Sequence, residues 1–191
     1  MQRRRLICFV SIILPWTLSA QTGDMKPIAI KGHFIGESVA QLLSKEPKVQ
    51  QQVKWCEQHP TKPTCDRLLA AIEHGGRAEI ANSSWTNFVV DGGHLVKLTT
   101  LVNENSDAVS DLTKKFGPRS SATAFPMRNA LGTTWQDRLS VWDTPTVYAT
   151  LREDNNPASQ NHHYVLIVES RAEHNRERTE EATQSAPKTE N

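Results

Sequence analysis

Cysteine, net charge and long apolar runs are all scarce in this chain of 191 residues, and each scarcity narrows what the protein does. Basic residues number 22 and acidic ones 21, a formal charge of +1. A nucleic-acid binder needs a basic face to neutralise phosphates, and no basic cluster interleaved with aromatics is present. Nucleic acid is therefore not expected as a partner. The one long apolar run, Leu6 to Leu18, falls short of the roughly 20 residues that cross a bilayer and is broken by Pro15. Stable membrane insertion is not expected. Three cysteines are too few for a disulfide-dense scaffold.

What is present begins at the first residue. Arg3, Arg4 and Arg5 form a positive n-region, Leu6 to Leu18 an apolar h-region, and Leu18-Ser19-Ala20 ends in the small residue that signal peptidase requires. Residues 1–20 read as a signal peptide cleaved near Ala20, which makes the product periplasmic or extracellular. Gln21 stands where a bacterial lipoprotein would carry its cysteine, so no lipid anchor is expected. Cleavage takes three of the 22 basic residues and none of the 21 acidic ones, moving the charge from +1 to −2. It also removes Cys8 and leaves Cys56 and Cys65 in an oxidising compartment. One disulfide between them is expected, worth about 2–3 kcal/mol of chain entropy for so short a loop. The alternative use of Cys56, His59, Cys65 and His74 as zinc ligands matches no recognised ligand spacing. Neither a metal nor a cofactor is expected.

The remainder reads as a short linker over 21–27, a single domain over 28–170, and a disordered polar tail over 171–191. The tail has no aromatic or large aliphatic residue with which to offset its ordering entropy. Within the domain, Val39, Leu42 and Leu43 share one helical face after Gly36-Glu37-Ser38. Val49, Val53 and Trp55 suggest a further helical turn or two before the prolines of His59 to Pro63. A helix capped by Thr64 carries Leu68, Leu69 and Ile72 and stops at Gly75-Gly76. The period then changes: Trp85 to Val90 and His94 to Val102 flank Asp91-Gly92-Gly93 as a hairpin. Ser106 caps a helix with Val109, Leu112 and Phe116 that stops at Gly117-Pro118. Beyond an irregular stretch through Asn129 to Gly132, strands are expected near 139–142, 146–152 and 163–170. This order has no βαβ alternation. It predicts an α+β two-layer sandwich, an antiparallel sheet of about five strands with two to four helices on one face.

The runs Phe88-Val89-Val90-Asp91-Gly92-Gly93-His94-Leu95-Val96, Leu112 to Pro118, Asn129-Ala130-Leu131-Gly132 and Val141-Trp142 resemble uncharacterised exported bacterial proteins. With Ile35-Gly36-Glu37-Ser38 ahead of the first helix, the layout is also similar to small outer-membrane assembly lipoproteins and to the β-lactamase inhibitor protein fold. That resemblance implies helices packed on an antiparallel sheet and a protein-binding role. The chain departs from the assembly lipoproteins in lacking the lipidated cysteine.

Gly36-Glu37-Ser38-Val39-Ala40 is the one stretch suggestive of catalysis, a serine between a turn and a helix as in hydrolase elbows, although Ala40 replaces the usual second glycine. A small secreted serine hydrolase using Ser38 is therefore the alternative function. The bland reading gives Ser38 to helix capping. His162 and His163 are strand neighbours and point to opposite faces, so they do not readily share one metal. Trp135, Trp142 and Tyr148 recur through the expected sheet, where packing in the core or on a sheet face is the commoner use of aromatics; because a one-sided sheet leaves alternate aromatics exposed, a recognition surface is the alternative. The expectation is a non-catalytic exported binding module whose partner is an envelope or extracellular protein.

Overall fold

The computed structural model describes residues 27–82, 85–103, 107–157 and 163–185. The segment read as a signal peptide, most of the expected linker, Ser106, His162 and residues 186–191 lie outside them. Among the described residues seven antiparallel strands and five helices form an α+β fold. The strands are β1 (Ala78–Asn82), β2 (Thr86–Asp91), β3 (His94–Asn103), β4 (Ser121–Arg128), β5 (Thr134–Asp143), β6 (Val147–Glu153) and β7 (His163–Ser170). Their order across the sheet is β1-β2-β3-β7-β6-β5-β4. Two meanders thus run inward from opposite edges and meet where β7 pairs with β3.

Helices α1 (Val39–Lys45), α2 (Pro47–Gln58), α3 (Pro63–His74) and α4 (Ala108–Phe116) cover one face, here the inner face. Their apolar stripes meet Ile80, Phe88, Val90, Leu98, Trp142, Ala149, Leu151, Leu166 and Val168, which side-chain alternation brings to that same side. The ends of these helices follow local chemistry. Ser38 and Gln41 form a reciprocal capping box on α1. Pro47 and Pro63 open α2 and α3, where a missing N–H costs nothing. Gly75 closes α3 at φ 71°, a left-handed cap that suits glycine. Cys56 and Cys65 are joined as a disulfide, their Cα atoms 4.8 Å apart, which ties α2 to α3.

The strap ahead of α1 is pinned to the sheet. Gly36 donates to Leu95 O at 2.8 Å, and Leu95 donates to Glu37 O at 2.8 Å. Behind it, the buried His33 reaches Glu37 through Nδ1 at 2.6 Å and Glu46 through Nε2 at 2.9 Å. Lys45 closes the other oxygen of the buried Glu37. These polar groups satisfy one another where an unpaired one would be costly.

Several expectations require correction. The sheet has seven strands, because β1 and β4 also form. Lys62 rather than Thr64 precedes the first turn of α3, and Asp107 caps α4 by accepting from Ser110 N at 3.3 Å. The expected hairpin forms with one irregularity, a register shift between Val89 and Val90 that lets Leu95 join Leu98 and Thr100 in the interior. Most consequentially, the segment expected to be a disordered tail forms a helix, α5 (Arg171–Ser185). It packs on the opposite, outer face, so the helices are not confined to one side.

Candidate functional site

The outer face is built from the alternate residues of the same strands: Val89 on β2, Lys97, Thr99 and Leu101 on β3, Val165, Ile167 and Glu169 on β7. Tyr148, Thr150 and Arg152 follow on β6, then Trp135, Asp137, Leu139 and Val141 on β5, and Thr123 and Phe125 on β4. α5 crosses one end of it. A helix with no apolar stripe needs another reason to dock, and here the reason is charge. Buried Glu173 accepts from Arg77 Nη1 at 3.0 Å and Nη2 at 2.7 Å, and from Arg176. One turn on, Glu177 accepts from Lys97 Nζ at 2.6 and 2.7 Å. His174 meets Glu169 at 2.7 Å, and Ser170 Oγ caps the helix by accepting from Glu173 N at 3.1 Å.

The titration of these groups reflects a contest between burial and partners. Burial alone would lower the Lys97 pKa, but the hydrogen bond and charge of Glu177, with the charge of Glu169, raise it above the ordinary lysine value. Burial would raise Glu177, and Lys97 reverses it, leaving that carboxyl below its usual range. For Glu173 burial prevails: its pKa is raised despite Arg77. Farther along the face, buried Asp137 accepts from Trp135 Nε1 at 2.9 Å, Arg152 Nη2 at 3.1 Å and Asn155 N at 3.1 Å. Burial again pushes upward, but these hydrogen bonds hold Asp137 below its ordinary value.

Beyond α5 lies a stretch of sheet that no described element covers. Thr99, Leu101, Leu139, Thr150, Val165 and Ile167 are each partly exposed there, aliphatic and β-branched side chains side by side. A one-sided antiparallel sheet ordinarily turns polar residues outward. This one presents an apolar strip between two polar knots, α5 and Asp137.

The three aromatics weighed as a recognition surface are not brought together on one. Trp142 is wholly buried on the inner face against Phe116, so it is a core residue. Its register partner is Ala149, which puts it back to back with Tyr148. Tyr148 does face outward, but the His174 ring stacks on it with centroids 3.6 Å apart. Trp135 is half-buried at the margin of the open strip, anchored through Asp137. The strip itself is made of four aliphatic residues and two threonines that carry no distinctive sequence motif; only their alternation with core residues marks them.

Ser38 is where the capping reading puts it: its Oγ accepts from Gln41 N at 3.3 Å and lies 3.3 Å from Gln41 Oε1. His94, on the facing strand, donates instead to Gly36 O at 3.0 Å. Among the described residues no cluster of three or more His, Cys, Asp or Glu could hold a metal, and Cys56 and Cys65 are spent on each other. No helix among them is long and apolar enough to cross a membrane. One apolar cavity of about 250 Å³ opens beside the strap, lined by Pro27, Ile28, Ile35, Phe116, Thr146, Val147 and Val168. It contains no titratable group. No protein-family model, curated protein or solved structure matches the chain.

Proposed function

We propose that the protein is an exported, non-catalytic binding module of the cell envelope that engages a protein partner through its outer sheet face. The observation that carries this reading is the uncovered strip of Thr99, Leu101, Leu139, Thr150, Val165 and Ile167. A contiguous apolar surface rimmed by polar residues is a recognised mark of an interaction site. The rim is itself rigid, since Asp137 and α5 are held by several charged hydrogen bonds each. Such a surface offers shape and apolar area, and no group on it is equipped for proton transfer or nucleophilic attack.

Export rests on the sequence of residues 1–20, and the bridge between Cys56 and Cys65 is compatible with an oxidising compartment. Affinity capture from the envelope of the exporting cell, with the chain from Gln21 onward as bait, tests the reading. A stoichiometric protein partner is expected, lost when Leu101→Glu and Ile167→Glu are introduced together. No partner, combined with turnover of an ester or peptide panel abolished by Ser38→Ala, would replace this reading with the hydrolase.

A further inference from the structure

Among the described residues β4 pairs with β5 alone and so ends the sheet. Which of its main-chain groups are free follows from the turn that joins the two strands. Gly132 donates to Asn129 O at 3.0 Å and Asn129 donates to Thr133 O at 3.1 Å, so Asn129 turns its main chain toward β5. Backbone direction alternates along an antiparallel strand. Met127, Phe125 and Thr123 therefore also face β5, while Arg128, Pro126, Ala124 and Ala122 turn outward. The next hairpin gives the same phase independently. Thr144 donates to Val147 O at 3.0 Å, which aims the even-numbered residues of β5 at β6 and the odd-numbered ones at β4. Pro126 agrees with it, since a proline is tolerated in a sheet where no neighbour needs its N–H.

Ala122 and Ala124 thus each present a donor and an acceptor at the open edge, with only methyl side chains to crowd them, and Pro126 adds an acceptor. Beside them the inner helical layer stops short. A cleft of about 250 Å³ opens there, lined by Arg119, Ala122, Thr123, Ala124, Arg138 and Ser140. Arg119 donates to Ser140 Oγ at 3.2 Å. Arg138 is exposed, directly across the ladder from Ala124. The cleft has two guanidinium groups and no acidic side chain.

The geometry points to strand addition: an extended, acidic segment of a partner protein joins β4 as an eighth strand, its main chain on Ala122 and Ala124 and its carboxylates on Arg119 and Arg138. Main-chain pairing supplies affinity in this mode and the flanking side chains supply selectivity. Arginine grips a carboxylate through paired N–H groups. A second copy of the chain fits the edge less well, because two-fold pairing of β4 with itself would set arginine clefts against each other. This site rests on the binding-module reading and gives it a partner chemistry.

The probe is a short capped peptide alternating valine with glutamate, set against the same peptide with lysine for glutamate. Both are titrated into the chain from Gln21 onward and followed by anisotropy and amide NMR. The acidic peptide is expected to bind at least about ten-fold more tightly, shifting the Ala122 and Ala124 amides and slowing their exchange. Arg138→Glu should weaken it by a similar factor. Ala124→Pro, which removes an outward N–H and leaves the β5 ladder intact, should abolish it with the circular dichroism unchanged. Equal binding of both peptides, shifts centred on Leu101 and Ile167 instead, no binding at millimolar peptide, or a β4-paired dimer on sedimentation would each overturn the site. If Arg138→Glu captures the same envelope partner as the parent chain, the edge site falls and the binding module stands. Peptide binding at β4 with no envelope partner does the reverse.

Discussion

Replacing Glu173 by alanine asks whether α5 is held by charge. Its carboxylate is buried and takes both terminal nitrogens of Arg77 and one of Arg176. Breaking a fully buried pair leaves an unpaired charge in the interior and costs about 3–5 kcal/mol, whereas an exposed pair is worth about 0–1 kcal/mol. Here the side chains of Arg77 and Arg176 are 37% and 33% exposed, so water recovers part of what they lose. The Ala172 to Glu177 turn keeps its second tether, Lys97 to Glu177. We expect an intermediate loss of about 2 kcal/mol, which for a domain of this size lowers Tm by about 4–8 °C. Urea denaturation followed by tryptophan fluorescence measures the loss, and native-state hydrogen exchange locates it. Amides of 171–185 should lose protection well before those of β3 and β7. A change below about 0.5 kcal/mol, the range of an ordinary surface substitution, with exchange in α5 unaltered, would refute the idea that this carboxylate docks the helix.

Glu177 has a folded pKa below its unfolded one, so its contribution is present above the ordinary glutamate value and is lost as pH falls through the lowered one. Glu177→Gln should therefore start less stable near neutrality and lose less on acidification than the parent chain, read from urea midpoints between about pH 6 and pH 3. Reducing the Cys56–Cys65 bridge, or replacing both cysteines by serine, should cost about 2–3 kcal/mol, seen as a lower urea midpoint with dithiothreitol than without. Trp142→Ala should cost about 3–5 kcal/mol as a buried aromatic truncation, while Trp135→Ala should cost markedly less; thermal melts separate the two.

The elements legible in the sequence are those whose local signals agree with their tertiary role. α4 has an apolar stripe of Ala108, Leu112 and Phe116 and a glycine stop, and the β2–β3 hairpin has Asp91-Gly92-Gly93 at its tip. β4 escaped notice because an edge strand with one paired side needs no apolar alternation. Its Ala122, Ala124 and Pro126 read as irregular chain when the edge is not known. α5 escaped for the opposite reason: its partners, Arg77 and Lys97, are charged residues far away in sequence, and a polar helix cannot be told from a polar tail by composition. One signal was there, since Ser170-Arg171-Ala172-Glu173 has the Ser-x-x-Glu spacing of a helix start. The aromatic trio is divided by parity. Trp135 and Trp142 lie an odd number of residues apart on one strand and must face opposite sides, a deduction that required knowing that β5 extends back to Thr134. The open aliphatic strip was invisible as a surface, because Leu101, Val165 and Ile167 are the residue types that fill cores.

The position of β7 bears on how the molecule comes into being. Among the described residues it is the last strand in sequence and the middle one in the sheet, flanked by β3 and β6. Until His163–Ser170 emerges, β3 and β6 are both bare edges and the two halves share no ladder. A chain that emerges from its amino end would therefore wait for this strand before closing, with Leu98, Leu151 and other future interior groups open to solvent in the meantime. Pairings so distant in sequence form slowly, and unpaired edges invite association with other chains. The architecture thus makes the interval before β7 pairs its most vulnerable moment, and leaves any chain cut short before Tyr164 with two half-sheets that cannot close on each other.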